Sequence, residues 1–253
     1  MVEFNRNDGL DQVWELSNVG DWNNKTENSS VTNYGHNAVH ELTSIGNSGI
    51  NYDANGNPLV GSNGDVYTWD LDNRLDSTTD MSFQYDALGR RVAITQGYET
   101  TNLVCAGNQL IAMYDADNPN SSPQRTFVYG TYIDEPLLMK ADSTKTYYHR
   151  NQQYSITALT DDTGIVIERY VYDAHGNTTI LSPEGTLRTE SEPGNPFAYT
   201  GRYHHPALNL YFFRARYYDA TAGRFIARDP LEYVDGMSPI EGILRLVRWI
   251  QLV

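Results

Sequence analysis

Four arginines, Arg214, Arg216, Arg224 and Arg228, stand close together near the C-terminal end of an otherwise acidic chain. A guanidinium group binds a carboxylate with two parallel hydrogen bonds and stacks on tyrosine rings. Side-chain alternation along a strand would put Arg214 and Arg216 on one face, with Ala215 and Tyr217 on the other. Two uses follow: ion pairs and stacking that close the fold, or contact with a bound polypeptide or a catalytic aspartate. Metal chemistry is the next candidate. His204 and His205 are adjacent, and neighbours on a strand point to opposite faces, so the pair is not expected to chelate one ion. Asp53, Asn55 and Asn57, and then Asp70 and Asp72, resemble the start of a calcium loop. Gly56 falls too early, however, and no Glu closes the loop. Turn chemistry accounts for these residues, and neither a metal nor another cofactor is expected. Cys105 is the only cysteine, which excludes internal disulfides and a cysteine-based zinc site. Its expected role is that of a small buried hydrophobe. Asn24, Asn28, Asn120 and Asn177 begin glycosylation sequons, which matter only in a secreted chain.

Elements that position such residues are constrained by composition. A chain of 253 residues is long enough to bury a sizeable core. Hydrophobic content is 40% and mean hydropathy is −0.54, and no run of residues approaches the length and apolarity of a spanning helix. Aromatics make up 12% of the chain, with 19 Tyr against 7 Phe and 4 Trp. That load argues against disorder and for half-buried sheet surfaces. The net charge of −14 argues against a broad basic face for nucleic acid. Residues 1–16 lack a basic segment followed by an apolar run, so no signal or transit peptide is expected. Repeat-like texture begins at once, as expected of a piece of something longer.

The repeat is an aromatic residue, then Asp, then two or three residues, then Gly or Asn. It runs through Tyr52-Asp53 with Gly56, Trp69-Asp70 with Asn73, and Tyr85-Asp86 with Gly89. It returns at Tyr172-Asp173 with Gly176 and at Tyr218-Asp219 with Gly223, and Tyr34-Gly35 looks like a weaker copy. The aromatic is expected to end a strand with its ring in the core. Asp then bonds the backbone two residues on, and Gly or Asn takes positive φ at the tip. Each unit thus reads as a β-hairpin turn, and hairpins at a short period predict a quasi-linear β array. Alternation predicts strands at Thr126–Tyr129 and Ile165–Tyr172. Composition predicts surface loops over 115–123 and 182–196. At the C-terminus Ile240, Ile243, Leu244, Val247 and Ile250 share one helical face, so residues 238–253 read as a divergent tail with a short amphipathic helix. Docking on the array, a membrane surface and a shifted reading frame are the alternatives for that tail.

The repeats resemble those of the Rhs/YD-repeat family. A longer match lies near the C-terminus: Gly201-Arg202-Tyr203, then Leu210 through Arg214, Arg216, Tyr217, Tyr218 and Asp219, then Gly223-Arg224-Phe225 and Asp229-Pro230-Leu231. It is similar to the family's repeat-associated core motif. The resemblance implies an all-β shell of stacked hairpins, with a repeat region over 1–200, a core motif over 201–237 and the tail beyond. It implies an encapsulating, non-enzymatic role beside a C-terminal effector, as in polymorphic toxins of bacterial competition, and a secreted or cell-surface setting; this chain is expected to be a truncated shell fragment without its effector. Partners would be an effector polypeptide or upstream shell repeats. Some relatives are aspartyl self-processing proteins, and Asp229 occupies the position of one of their carboxylates. Two close carboxylates can share a proton, one acting on water while the other protonates the leaving group. Asp235 is a candidate for the second carboxylate but does not match the family's second Asp, and the alternative for Asp229 is a turn residue before Pro230. Departures from the family pattern fall around His205 and Asn209, at Ala220 and after Ser238. A carbohydrate- or receptor-binding β module that uses surface tyrosines is the third reading.

Overall fold

The computed structural model describes residues 2–5, 9–118 and 122–230. Its turns are built by single side-chain acceptors. Asp53 Oδ1 accepts the backbone N–H groups of Asn55 at 2.9 Å and Asn57 at 2.8 Å. Asp70, Asp86 and Asp173 take the same two groups, two and four residues on, all at 2.9 Å. These are the N–H groups that a chain reversal leaves without a strand partner. Gly176, at the tip of the Asp173 turn, has φ 91°. A Cβ there would lie 2.6 Å from the Tyr199 ring, so both the backbone and the packing require glycine.

The same turn recurs where no Tyr-Asp pair marks it. Asp161 serves Thr163 and Ile165, Asn151 serves Gln153 and Ser155, and Asn37 serves Val39 and Glu41. Ser17 Oγ does so for Val19 and Asp21. The turn needs only an oxygen acceptor on a short side chain, which Asn and Ser supply as well as Asp.

Between turns the chain runs as strands, and within each sheet every strand pairs antiparallel with its sequence neighbour. A six-stranded sheet runs from Val2–Asn5 to Ser48–Gly49, and a thirteen-stranded sheet from Thr68–Trp69 to Leu187–Arg188. A four-stranded sheet runs from Tyr203–His205 to Arg224–Phe225. Isolated bridges, Tyr52 with Pro58 and Val60 with Val66, lie between the first two. The architecture is the expected all-β stack of hairpins. Among the described residues the helical content is one 3-10 turn, Tyr199–Gly201, and no helix is long and apolar enough to cross a membrane. The expected tail helix over 238–253 and Asp235 lie outside the described residues.

The two predicted strands are found as Arg125–Tyr129 and Val166–Tyr172. Ile165 belongs instead to the preceding Asp161 turn. The stretch expected as a loop over 182–196 contains a further strand, Leu187–Arg188. Ser182 Oγ accepts the Thr186 N–H at 3.2 Å and returns the chain to the sheet edge within one turn.

Direct cross-strand pairs line one face of the long sheet: Phe83 with Ile94, Leu103 with Met113, Phe127 with Met139, Tyr148 with Leu159 and Tyr170 with Ile180. All ten are buried. This apolar ladder cannot remain in water, and the chain's own C-terminal segment covers it. Phe197 meets Phe127 at 5.1 Å between ring centres, and Tyr217 meets Phe83 at 5.4 Å. Of the repeat aromatics, Tyr218 lies in this core as expected, Trp69, Tyr85 and Tyr172 pack at its border, and Tyr52 is half-buried outside it. Their polar ends bridge to the preceding hairpin: Tyr52 donates to the Leu42 carbonyl (2.7 Å), Tyr85 to Leu75 (2.8 Å) and Tyr172 to Ile156 (2.6 Å). Trp69 Nε1 does the same to Pro58 (2.8 Å). A polar tip explains why Tyr is used here so much more than Phe.

Candidate functional site

The hairpins of residues 203–225 distribute the arginine cluster over several environments. Arg214 is not on a strand face with Arg216, as alternation predicted. It starts the two-residue turn between Leu210–Phe213 and Arg216–Asp219, at φ 62°. From there it reaches Asp134 at 2.5 Å. Arg216 pairs with Asp229 at 2.7 Å and lies 3.8 Å from the centre of the Phe225 ring. Arg224 donates to the His40 carbonyl at 3.1 Å, and its burial lowers its pKa from the ordinary range. Arg228 pairs with Glu41 at 2.7 Å. The cluster therefore ties the C-terminal segment both to the long sheet and to the N-terminal one, which is the fold-closing use.

Other motif residues contribute to the same closure. Tyr217, Tyr218, Asp219 and Phe225 are buried. Asp219 accepts the N–H groups of Thr221 and Ala222, and burial raises its carboxyl pKa. Gly223, at φ 65°, lies where a Cβ would meet the Trp22 ring at 2.3 Å. Asp173 adds a contact from the long sheet, accepting from Gln12 at 3.2 Å. Asp229 engages the Arg216 guanidinium, and Pro230 follows it at the rim of a cavity. His204 and His205 face different surroundings. His204 stacks on Tyr211 at 4.4 Å, and His205 lies against Arg91 and Phe83. Among the described residues, no group of three or more His, Cys, Asp or Glu is placed to hold a metal ion.

The cavity measures about 340 Å³. Its walls come from the long sheet (Leu103, Cys105, Leu110, Tyr129) and from the C-terminal segment (Phe197, Tyr203, Phe212, Pro230). Five arginines reach it: Arg74, Arg90, Arg91, Arg202 and Arg214, against Asp72 and Asp134. Four of the five have carboxylate partners. Arg74 pairs with Asp70 and Asp72, Arg90 with Asp86, and Arg202 and Arg214 with Asp134. Burial lowers the Arg202 pKa to about 10 against the pull of Asp134.

Arg91 is different. It is 2% exposed, and its partners are neutral. Nη1 donates to His205 Nε2 at 2.6 Å and to the Tyr217 hydroxyl at 3.0 Å. Burial, Arg91 and His204 hold the His205 pKa well below the ordinary histidine range, so its ring is neutral and can accept. The rings of Phe212 and Tyr203 lie 4.3 and 4.4 Å from the guanidinium carbon. Nε has no hydrogen-bond partner. Cys105 is only half-buried, at the cavity wall rather than in the core, and burial raises its thiol pKa. Nothing in the sequence singled out Arg91 or Asp134, and Arg202 stood out only as part of the Gly201-Arg202-Tyr203 match. Arg91 begins the strand Arg91–Gln96, and only its position opposite residues 203–217, over a hundred positions away, makes it part of a site.

No protein-family model matches the chain. The chain is 31% identical over 239 residues to the tRNA nuclease WapA of Bacillus subtilis strain 168, a match that covers 91% of this chain and 10% of that protein. It is 30% identical over 239 residues, with the same coverage, to the tRNA3(Ser)-specific nuclease WapA of Bacillus spizizenii. The chain thus spans about a tenth of the length of the curated relatives it matches. Its fold is that of part of the Tc holotoxin pore of Photorhabdus luminescens. The TM-score is 0.70 at 15% identity, over 92% of this chain and 12% of that one. These relatives overturn the expectation of a non-enzyme, because the proteins this chain resembles in sequence are named as nucleases. With tRNA in their names, net charge is also no ground for excluding nucleic acid.

Proposed function

We propose that this chain is a shell segment of an Rhs-type toxin polypeptide, with a repeat region over residues 1–200 closed by the core motif of residues 201–237. In this reading the polypeptide carries an effector, and its activity is directed at nucleic acid, as the names of the WapA relatives say of those proteins. The carrying observation is structural. A sequential antiparallel meander buries one face against the motif residues Tyr217, Tyr218 and Phe225, and the same arrangement is embedded in a much larger toxin assembly.

A chimera tests the proposal. Residues 9–230 replace the matching stretch of the Bacillus subtilis WapA. Equivalent shell segments predict a chimera as resistant to limited proteolysis as its parent, with the parent's tRNA cleavage retained. Proteolysis throughout the grafted stretch, with the rest intact, would refute it.

A further inference from the structure

We infer that the arginine-lined cavity is a binding site for a small monocarboxylate with an apolar or aromatic body, held by Arg91. The inference goes beyond the shell reading and does not depend on it.

A guanidinium taken out of water without a carboxylate is costly unless something replaces its hydration. Arg91 has part of a replacement in the rings of Phe212 and Tyr203, which face its cation at cation–π distance. Among the described residues no carboxylate pairs with it. His205 and Tyr217 are neutral acceptors, and the Nε hydrogen has no acceptor. The group nonetheless forms part of the wall of a cavity of about 340 Å³, within the size range of small-molecule sites. An anion there would supply both missing features, a negative charge and an acceptor for the guanidinium edge.

Charge sets the ligand's valence. The other four arginines at the cavity are already neutralised by Asp70, Asp72, Asp86 and Asp134. Among the described residues one uncompensated cation remains at the cavity, and Asp72 and Asp134 also reach it. A dianion such as phosphate would bring a second negative charge toward these carboxylates, whereas a carboxylate brings one. The planar fork of a guanidinium also matches a carboxylate. Leu103, Leu110, Phe197 and Phe212 line the remaining wall and favour an apolar body.

The single thiol supplies the reporter, because Cys105 lines the same cavity. The full chain is alkylated with iodoacetamide at fixed pH, and intact mass gives the rate. Benzoate is the probe, benzamide its neutral isostere and inorganic phosphate the second anion. At ten times its Kd, benzoate should slow alkylation about tenfold, since the unoccupied fraction falls as 1 + [L]/Kd. Benzamide and phosphate should leave the rate unchanged. Arg91→Lys keeps the charge but loses the fork, and should abolish protection with the melting temperature as a check on folding. Equal protection by benzamide, or none by benzoate at tens of millimolar, overturns the proposal. Protection by phosphate as strong as that by benzoate overturns the choice of a monocarboxylate. If Arg91→Lys fails to fold, the contrast among the three probes on the native chain still decides.

Discussion

Asp134 offers the most direct test of how the C-terminal segment is held. Its side chain is 6% exposed and accepts from Arg202 at 2.9 Å and from Arg214 at 2.5 Å. Arg202 is itself 10% exposed and stacks on Phe213 at 4.6 Å, whereas Arg214 is 28% exposed and can turn to solvent. Removing the carboxylate in Asp134→Ala would therefore strand one buried cation, that of Arg202. Breaking a buried pair from one side costs about 3–5 kcal/mol. The better exposed Arg214 adds little, because surface pairs are worth about 0–1 kcal/mol. Urea denaturation should show the midpoint falling by roughly 1–2 M at an ordinary slope. The cost arises from the uncompensated charge, so removing both partners should restore most of it. Asp134→Leu combined with Arg202→Met is expected within about 1.5 kcal/mol of the native chain. A loss below about 1 kcal/mol for Asp134→Ala, or a double variant as unstable as the sum of the single ones, would refute the argument.

Three other perturbations probe the joints between sheets. Asp173→Ala removes the acceptor for two backbone N–H groups, for the Asn177 amide and for Gln12 of the N-terminal sheet. It should cost about 2–3 kcal/mol in chemical denaturation, and a neutral result would show that water replaces these bonds. Gly223→Ala places a methyl group against the Trp22 ring at positive φ. Roughly 2–4 kcal/mol is expected, seen as a lower melting temperature with altered tryptophan fluorescence, and unchanged fluorescence would mean the joint gives way elsewhere. His175 and His204 have pKa values lowered to about 4 by burial. Unfolded, they titrate near 6.5, so the unfolded chain binds more protons between those limits. Stability should be full above pH 6.5 and decline as pH falls toward 4, by up to about 3 kcal/mol per ring. A melting temperature flat from pH 6.5 to 4.5 would contradict the burial of these rings.

Residues near in sequence made much of this legible. The Tyr-Asp repeats announced their own turns, because Asp53, Asp70, Asp86 and Asp173 bond backbone groups two and four positions away. Such a contact is decided before the chain meets itself. The all-β class followed, since hairpins built this way pair each strand with its neighbour. The turn at Asn37 was visible only as the weak copy that begins at Tyr34, and those at Asn151 and Ser17 escaped the reading because their acceptors are commonplace residues away from any Tyr-Asp pair.

The site was not legible. Alternation placed Arg214 and Arg216 together, but a two-residue turn at Arg214-Ala215 intervened, and register broke the pattern. Arg91, His205 and Tyr217 are ordinary residues in separate segments until the C-terminal hairpins fold onto the ladder of Phe83, Leu103 and Phe127. Asp134 becomes the anchor of Arg202 and Arg214 only at that moment. By itself the sequence determined the turns, the strands and their antiparallel order, because those depend on contacts a few residues apart. Only the tertiary structure decided which charge is paired and which is left facing a cavity, because burial and counter-charge depend on segments brought together from far along the chain.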